Sequence, residues 1–448
     1  MKDNSLRSYL LIGGLWASAG KVFTIFFGII LSGFLARIIS PENMGLYFLS
    51  FNFATFLSLL PRFGIDIAFL RLIPEAVESD MGGNAKSLII KGFFIISIFS
   101  GILIIILNFG LGSKIVNYFS LSPRLISIIG FISVWAILIA FQFVFESIFR
   151  GFRDIRLSIL FGDVIWRITL FLYLIIIQWY FQKITLKIVL WGVMFAGFVN
   201  LILALSYLAK KVKTPLKPTK DHLSYQDIFL HLWPIMVYSI LTFIYSNSAV
   251  WVVASLFGER DIALFGAAMK LVLLSTLFLS IINSVIPQII AKFNVLKQKH
   301  RLEHILRSSP TLATIPTFII LAIFIFQGSN VLGFTFGEFY KDATTILIIL
   351  SIGHLISVFL GSCGFALLMS GNQKTIMSIS IFSGISGLAL GILLGITFGI
   401  IGVAWATTIT KAINKLLMLF FARSKVGVWT HFSAKHLSQA LGVKKILN

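Results

Sequence analysis

Nine charged residues lie inside apolar stretches long enough to cross a bilayer: Lys21, Arg62, Asp66, Glu146, Asp163, Arg167, Lys270, Lys411 and Lys415. Each costs roughly 2.5–3.5 kcal/mol near the centre of a membrane helix, so such residues persist where they meet one another, water or a ligand. Six are basic and three acidic, which gives a net cationic interior suited to an anion. Arg62 and Asp66 are four residues apart, as are Asp163 and Arg167, so each pair shares a helix face and can neutralise itself. Glu146 lies near the end of its span beside Arg150 and Arg153, which suits a loop anchor, and Lys415 can snorkel toward the inner surface. Lys21 is eleven residues into the first span, roughly 16 Å deep at helical rise. No acid lies within four positions of it, and no acid lies within the span of Lys270. Lys411 sits among Thr407, Thr408, Thr410 and Asn414. These three lysines are expected to face a cavity.

Uncharged positions add to the candidates. Tyr238, Thr242, Tyr245 and Ala249 are spaced by four, three and four, making one polar and aromatic helix face that suits a sugar or a packed neighbour. His354 lies within an apolar run and is a candidate proton carrier or a helix contact; with Asp66, Asp163 and Glu146 it completes the ion-coupling candidates. Ser383, Gly387, Gly391, Gly395 and Gly399 recur every fourth residue, a small-residue stripe that lets another helix approach closely. The segment His300-Arg301-Leu302-Glu303-His304 matches an H-x-x-E-H zinc pattern. It lies in a basic loop without a second ligand-bearing segment, so no metal site is expected. The chain has no P-loop and no catalytic constellation, and it is expected to work without a cofactor.

The elements that must hold these residues are membrane helices. Of 448 residues, 58% are hydrophobic and 12% charged, with mean hydropathy +0.98. A soluble globule is roughly half apolar and a quarter charged. The apolar runs are too long and too uniform for barrel strands. The single cysteine, Cys363, lies in such a run and excludes an internal disulfide. The stretch from Leu10 to about Ile38 follows Lys2 and Arg7 but exceeds a signal-peptide core, so it reads as the first span. The pattern predicts an all-α polytopic membrane protein with about twelve spans.

Charge sets the expected orientation. With the N-terminus inside, 24 Lys and Arg fall in cytoplasmic segments against 7 outside, the other 6 lying within spans. Both termini are then cytoplasmic, and the net charge of +21 reflects this bias and attraction to anionic membrane lipids rather than to nucleic acid. The longest polar break, Lys210 to Asp227, contains Pro215 and Pro218 and divides the chain. The expected parts are an N-terminal six-helix lobe over 1–210, a cytoplasmic linker over 211–227, a C-terminal six-helix lobe over 228–421 and a basic cytoplasmic tail over 422–448. Ser40-Pro41-Glu42-Asn43-Met44-Gly45-Leu46-Tyr47 and Gly258-Glu259-Arg260-Asp261-Ile262-Ala263-Leu264-Phe265 form a weak internal repeat, each a polar turn followed by a small residue, Leu and an aromatic.

Three stretches resemble a known family. They are Leu35-Ala36-Arg37-Ile38-Ile39-Ser40-Pro41-Glu42-Asn43-Met44-Gly45-Leu46-Tyr47, Phe149-Arg150-Gly151-Phe152-Arg153, and Phe398-Gly399-Ile400-Ile401-Gly402-Val403-Ala404-Trp405-Ala406-Thr407. Together with the span count they resemble the polysaccharide flippase family, the Wzx-type branch of a superfamily that also holds MATE-type drug/cation antiporters and lipid II flippases. The resemblance implies two six-helix lobes around a central cavity, alternating access, and cavity cations that hold the pyrophosphate of a polyprenyl-linked oligosaccharide. Lys21, Arg62, Lys270 and Lys411 fit that role, with Arg167, Lys415, Tyr238, Thr242 and Tyr245 as further substrate-binding candidates. It also implies a cytoplasmic-membrane location and, as a further partner, the polysaccharide polymerase machinery. A lipid II-type flippase and a MATE-type antiporter are the alternatives within transporters. The acidic cavity that suits cationic drugs contrasts with the basic interior here. A membrane glycan polymerase is the alternative of a different class, opposed by short outer loops with few acids and no histidine.

Overall fold

The computed structural model describes residues 2–78, 82–118, 122–181, 183–212, 225–283, 286–295 and 298–433. Most of the expected linker and the tail beyond residue 433 lie outside them. The described chain is helical: α1 (Lys2–Ile38), α2 (Pro41–Leu57), α3 (Leu59–Arg62), α4 (Ile65–Glu78), α5 (Gly82–Ile106), α6 (Gly112–Tyr118), α7 (Ile129–Gly151), α8 (Ile155–Ile159), α9 (Ile165–Tyr180), α10 (Leu186–Lys211), α11 (Tyr225–Leu256), α12 (Glu259–Asn283), α13 (Ile286–Val295), α14 (Lys299–Phe336), α15 (Thr344–Leu360), α16 (Cys363–Met369) and α17 (Gln373–Phe421). Among the described residues, eleven helical stretches are long and apolar enough to cross a membrane. The last, Gln373–Val426, has 54 residues, about twice what one crossing needs. It breaks at Gly399, whose φ of 66° and ψ of −155° are open to glycine. Counting its two arms separately gives twelve passes, as the sequence predicts.

Local chemistry explains several ends. Ser40 is extended and its Oγ accepts from the Asn43 backbone N–H, with Pro41 at the first helical position and Glu42 in the first turn of α2. Span 2, which the apolar pattern places at residues 44–70, breaks at Phe63 and Gly64, both with positive φ (47° and 79°), so α3 and α4 are separate helices where the pattern alone predicts one. Large apolar side chains that are exposed mark the lipid-facing shell. Trp179, Tyr180 and Tyr118 among them sit at helix ends, where aromatic rings favour the membrane interface.

The chain forms two compact units. Unit 1 comprises Met1–Phe27, Ile38–Phe243 and Gly258–Arg260. Its core includes a row of aromatic rings: Phe93 lies against Phe145, which stacks with Phe149, which stacks in turn with Phe161. Ring pairs of this kind contribute about 0.5–1.5 kcal/mol each beyond burial. That matters in lipid, where no hydrophobic force drives helices together. At one end of unit 1, Arg124 bridges Glu259 (2.5 Å) and Asn43 (2.7 Å), and Arg260 pairs with Glu42 (3.4 Å). These contacts join parts of the two repeated turns.

Unit 2 comprises Gly28–Arg37, Ile244–Phe257 and Asp261–Asn448. Its core includes Ile290, Leu306, Leu367, Ala422 and the buried thiol of Cys363. The glycine stripe does what its spacing predicts. A Cβ at Gly387, Gly391 or Gly395 would lie 3.0 Å from Thr410, 3.2 Å from Val252 or 2.9 Å from Leu256. The C-terminal half of α11 and the second arm of α17 thus pack tightly on the first arm of α17.

Candidate functional site

Unit 1 gathers all three acidic candidates and three of the six basic ones, Lys21, Arg62 and Arg167. Arg62 is buried; its Nε donates to the Ser58 carbonyl and its guanidinium pairs with Asp66 at 2.9 Å. The same guanidinium lies over the Phe143 ring, 4.2 Å from the centroid. Asp163 pairs with Arg167 at 2.9 Å and Glu146 with Arg150 at 2.9 Å. Glu146, Asp163 and Arg167 line one cavity of about 160 Å³, with Thr55, Gln142 and Trp166. Lys21, exposed on α1, is near enough to Glu146 for their charges to interact. The six charges of these three pairs cancel, so the cavity of unit 1 is close to neutral apart from Lys21.

A local irregularity shapes that cavity. Residues Leu160–Val164 form a π turn between α8 and α9, which widens the helix and frees carbonyls from their usual partners. Gln142 of α7 donates to the Gly162 carbonyl, and Asn200 of α10 donates to the Phe161 carbonyl at 2.9 Å. Two side-chain amides from neighbouring helices thus satisfy the backbone of the turn that carries Asp163. Arg167 Nε and Trp166 Nε1 are buried there without a hydrogen-bond partner, leaving donors in the region of the cavity. Gln142 and Asn200 escape a search limited to charges. An amide inside an apolar run is the signal that finds them.

Unit 2 differs in its charge. Lys411 Nζ contacts His354 Nε2, joining α17 to α15. Lys415, one turn on, donates to the Gly361 carbonyl at 3.3 Å, placing a cation at the C-terminal end of α15. A cavity of about 20 Å³ beside Lys411 is lined by Tyr245, Ser248, Thr407 and Thr410. From residue 343 to residue 448 the sequence contains no Asp or Glu, so α15, α16 and α17 offer these cations no carboxylate. Lys270 is half-buried on α12 of unit 2, and neither of the two cavities includes it. Tyr238 and Thr242 belong to unit 1, whereas Tyr245 and Ala249 line the cavity of unit 2. The H-x-x-E-H segment opens α14, where Glu303 engages Arg307 (3.6 Å) and Arg423 (3.8 Å).

The profile of a family described as "Polysaccharide biosynthesis protein" matches residues 10–293, more than half of the chain. The chain belongs to this family. A curated relative is the probable low-salt glycan biosynthesis flippase Agl15 of Haloferax volcanii, 23% identical over 248 residues. That match spans 54% of this chain and 51% of the relative, so the chain matches about half the relative's length. Among solved structures, an inward-facing multidrug resistance MATE family transporter of the MOP superfamily superposes with a TM-score of 0.74 at 14% identity, covering 95% of this chain and 96% of that one. The lipid II flippase MurJ in an inward closed conformation gives 0.71 at 19% identity, covering 95% and 90%. A MOP superfamily transporter from Pyrococcus furiosus, described as having a binding pocket of reverse polarity, gives 0.66 at 14%, covering 94% and 95%. At these identities the structures establish a shared fold. This member of the polysaccharide biosynthesis family is therefore an all-α, multi-pass membrane protein with the MOP transporter fold.

Proposed function

We propose that this protein is a flippase that moves a polyprenyl-pyrophosphate-linked oligosaccharide across the cytoplasmic membrane for surface polysaccharide synthesis. It acts by alternating access of two six-helix lobes and catalyses no covalent step. The observation that carries the reading is the charge of the membrane interior. The acids of unit 1 are paired with arginines, while His354, Lys411 and Lys415 of unit 2 lie on helices without a carboxylate. A cationic drug needs the opposite charge; a pyrophosphate headgroup needs this one. Lysine supplies a point charge and three donors to phosphate oxygens. The likeness to a probable glycan biosynthesis flippase of Haloferax and to the lipid II flippase MurJ agrees with the reading. Lys21, Arg62, Lys270, Lys411 and Lys415 are its candidate headgroup contacts. Both termini are cytoplasmic on the charge bias of the loops. The proposed division has lobes at 1–210 and 228–421, and the protein hands its cargo to the polymerase machinery outside.

Deleting the gene in its native host and probing each membrane face tests the proposal. Lipid-linked glycan should accumulate on the cytoplasmic face. Accumulation on the outer face would point instead to a polymerase, and unchanged glycan export would exclude the flippase assignment.

A further inference from the structure

We propose that His354 and Lys411 form a proton-binding site in unit 2 whose occupancy is linked to anion binding. This inference rests on the flippase reading, which it deepens by naming the coupling ion and its site. The contact joins two basic nitrogens, Lys411 Nζ and His354 Nε2. A hydrogen bond between them requires one donor and one lone pair. In the singly protonated pair, either the ammonium donates to a neutral imidazole or an imidazolium donates to a neutral amine. The bonded pair therefore carries at most one positive charge. A second proton removes the lone pair and sets two like charges in contact, so the dication must open.

The surroundings favour this reading over a static contact. The groups that face the pair are Lys415 on α17, the Cys363 thiol on α16, which points to the Lys415 and Gly361 carbonyls, and the Tyr245 hydroxyl on α11. The titratable residues of α14, which packs along α15, all lie within its first nine positions, remote along that helix. None of these groups is a carboxylate able to hold the pair permanently in its doubly charged form. His354 Nδ1, Ser351 Oγ and Thr410 Oγ1 are buried without a hydrogen-bond partner. Buried polar atoms left unpaired are uncommon and call for a ligand, a water or a function. The cavity beside Lys411, at about 20 Å³, has room for about one water and none for a sugar or a pyrophosphate. Its hydroxyls supply partners for that water, so a proton can reach the lysine by relay. The ligand that fits inside this site is a proton.

The link to the anion follows from charge. The singly protonated pair offers an approaching anion one positive charge and the dication offers two. By reciprocity, an anion bound nearby favours uptake of the second proton. The same uptake breaks the bond between α15 and α17, about two helical turns before the backbone break at Gly361, where φ is 77°. Proton binding, anion binding and a helix–helix contact are thus coupled at one place.

Calorimetric titration tests the site on the full-length protein in detergent, with inorganic pyrophosphate as probe. Runs at one pH in buffers of different ionisation enthalpy give the protons taken up per anion bound. The wild type should take up about one proton more than His354→Gln, whose amide oxygen accepts from Lys411 but cannot be protonated. Subtracting the variant removes the ionisation of the probe itself. His354→Asn serves the same comparison if His354→Gln fails to fold. Equal proton uptake by wild type and either folded variant overturns the proton site and leaves the anion-binding reading standing. No binding of pyrophosphate to the wild type overturns both.

Discussion

Arg62 and Asp66 meet at 2.9 Å across a break in span 2, with Phe63 and Gly64 between them in the left-handed region. The pair does more than neutralise two charges. Arg62 Nε donates to the Ser58 carbonyl before the break, and its terminal nitrogen reaches Asp66 after it. One side chain therefore ties the two helical segments together.

Arg62→Gln should lower stability by about 3 kcal/mol, because it leaves the Asp66 carboxylate largely buried and unpaired. Arg62→Gln with Asp66→Asn should recover most of the loss. Thermal unfolding of purified protein reads both. A double variant as unstable as the single one would show that the link to Ser58, and not the ion pair, carries the effect.

The π turn at Leu160–Val164 depends on two amides. Asn200→Leu should cost about 1–3 kcal/mol, the usual consequence of leaving a buried carbonyl without its donor. Gln142→Leu acts on the adjacent carbonyl of the same turn. The double variant should therefore lose less than the two single losses added together. Strict additivity in denaturation measurements would mean that the amides support unrelated structures.

Gly391→Leu should lower the yield of folded protein and cost about 1–3 kcal/mol or more through overpacking. A Cβ at that position already meets Val252 at 3.2 Å, and three further carbons have no space on that face. Loss of export with an unchanged melting temperature would contradict this packing role.

Several of these relationships are legible from spacing alone. Pairs four apart on one helix, such as Asp163 with Arg167 and Glu146 with Arg150, follow from helical periodicity. The glycine stripe follows from the same rule. The π turn is not legible, because its support comes from Gln142 and Asn200, tens of residues away in the chain. The contact between His354 and Lys411 is equally hidden: 57 positions separate them, so no spacing along one helix pairs them. The break at Phe63 is masked by its phenylalanine, a residue that favours continuing the apolar run.

The segment after the last span adds a pH-dependent contact. Thr430 Oγ1 donates to the Leu360 carbonyl (2.8 Å), the Phe432 N–H to the Phe359 carbonyl (2.8 Å) and the Ser433 N–H to Thr311 Oγ1 (3.0 Å). His431, between them, contacts Arg307 through Nε2 at 3.3 Å. Burial is the main cause that holds its imidazole below its usual 6.5. Arg307 adds to the effect and Glu303 opposes it. The docked segment therefore favours neutral His431, whereas a released segment titrates near 6.5. Between that value and the lower docked one, the released form binds more protons, so docking weakens as pH falls through this window. Above it, docking is at full strength. Hydrogen exchange at the Phe432 amide, corrected for intrinsic rate, should show less protection at about pH 5.5 than at about pH 7.5. His431→Gln, which still offers Arg307 an acceptor, should flatten the dependence. Protection that rises on acidification, or an unchanged slope in His431→Gln, would assign the titration to another group.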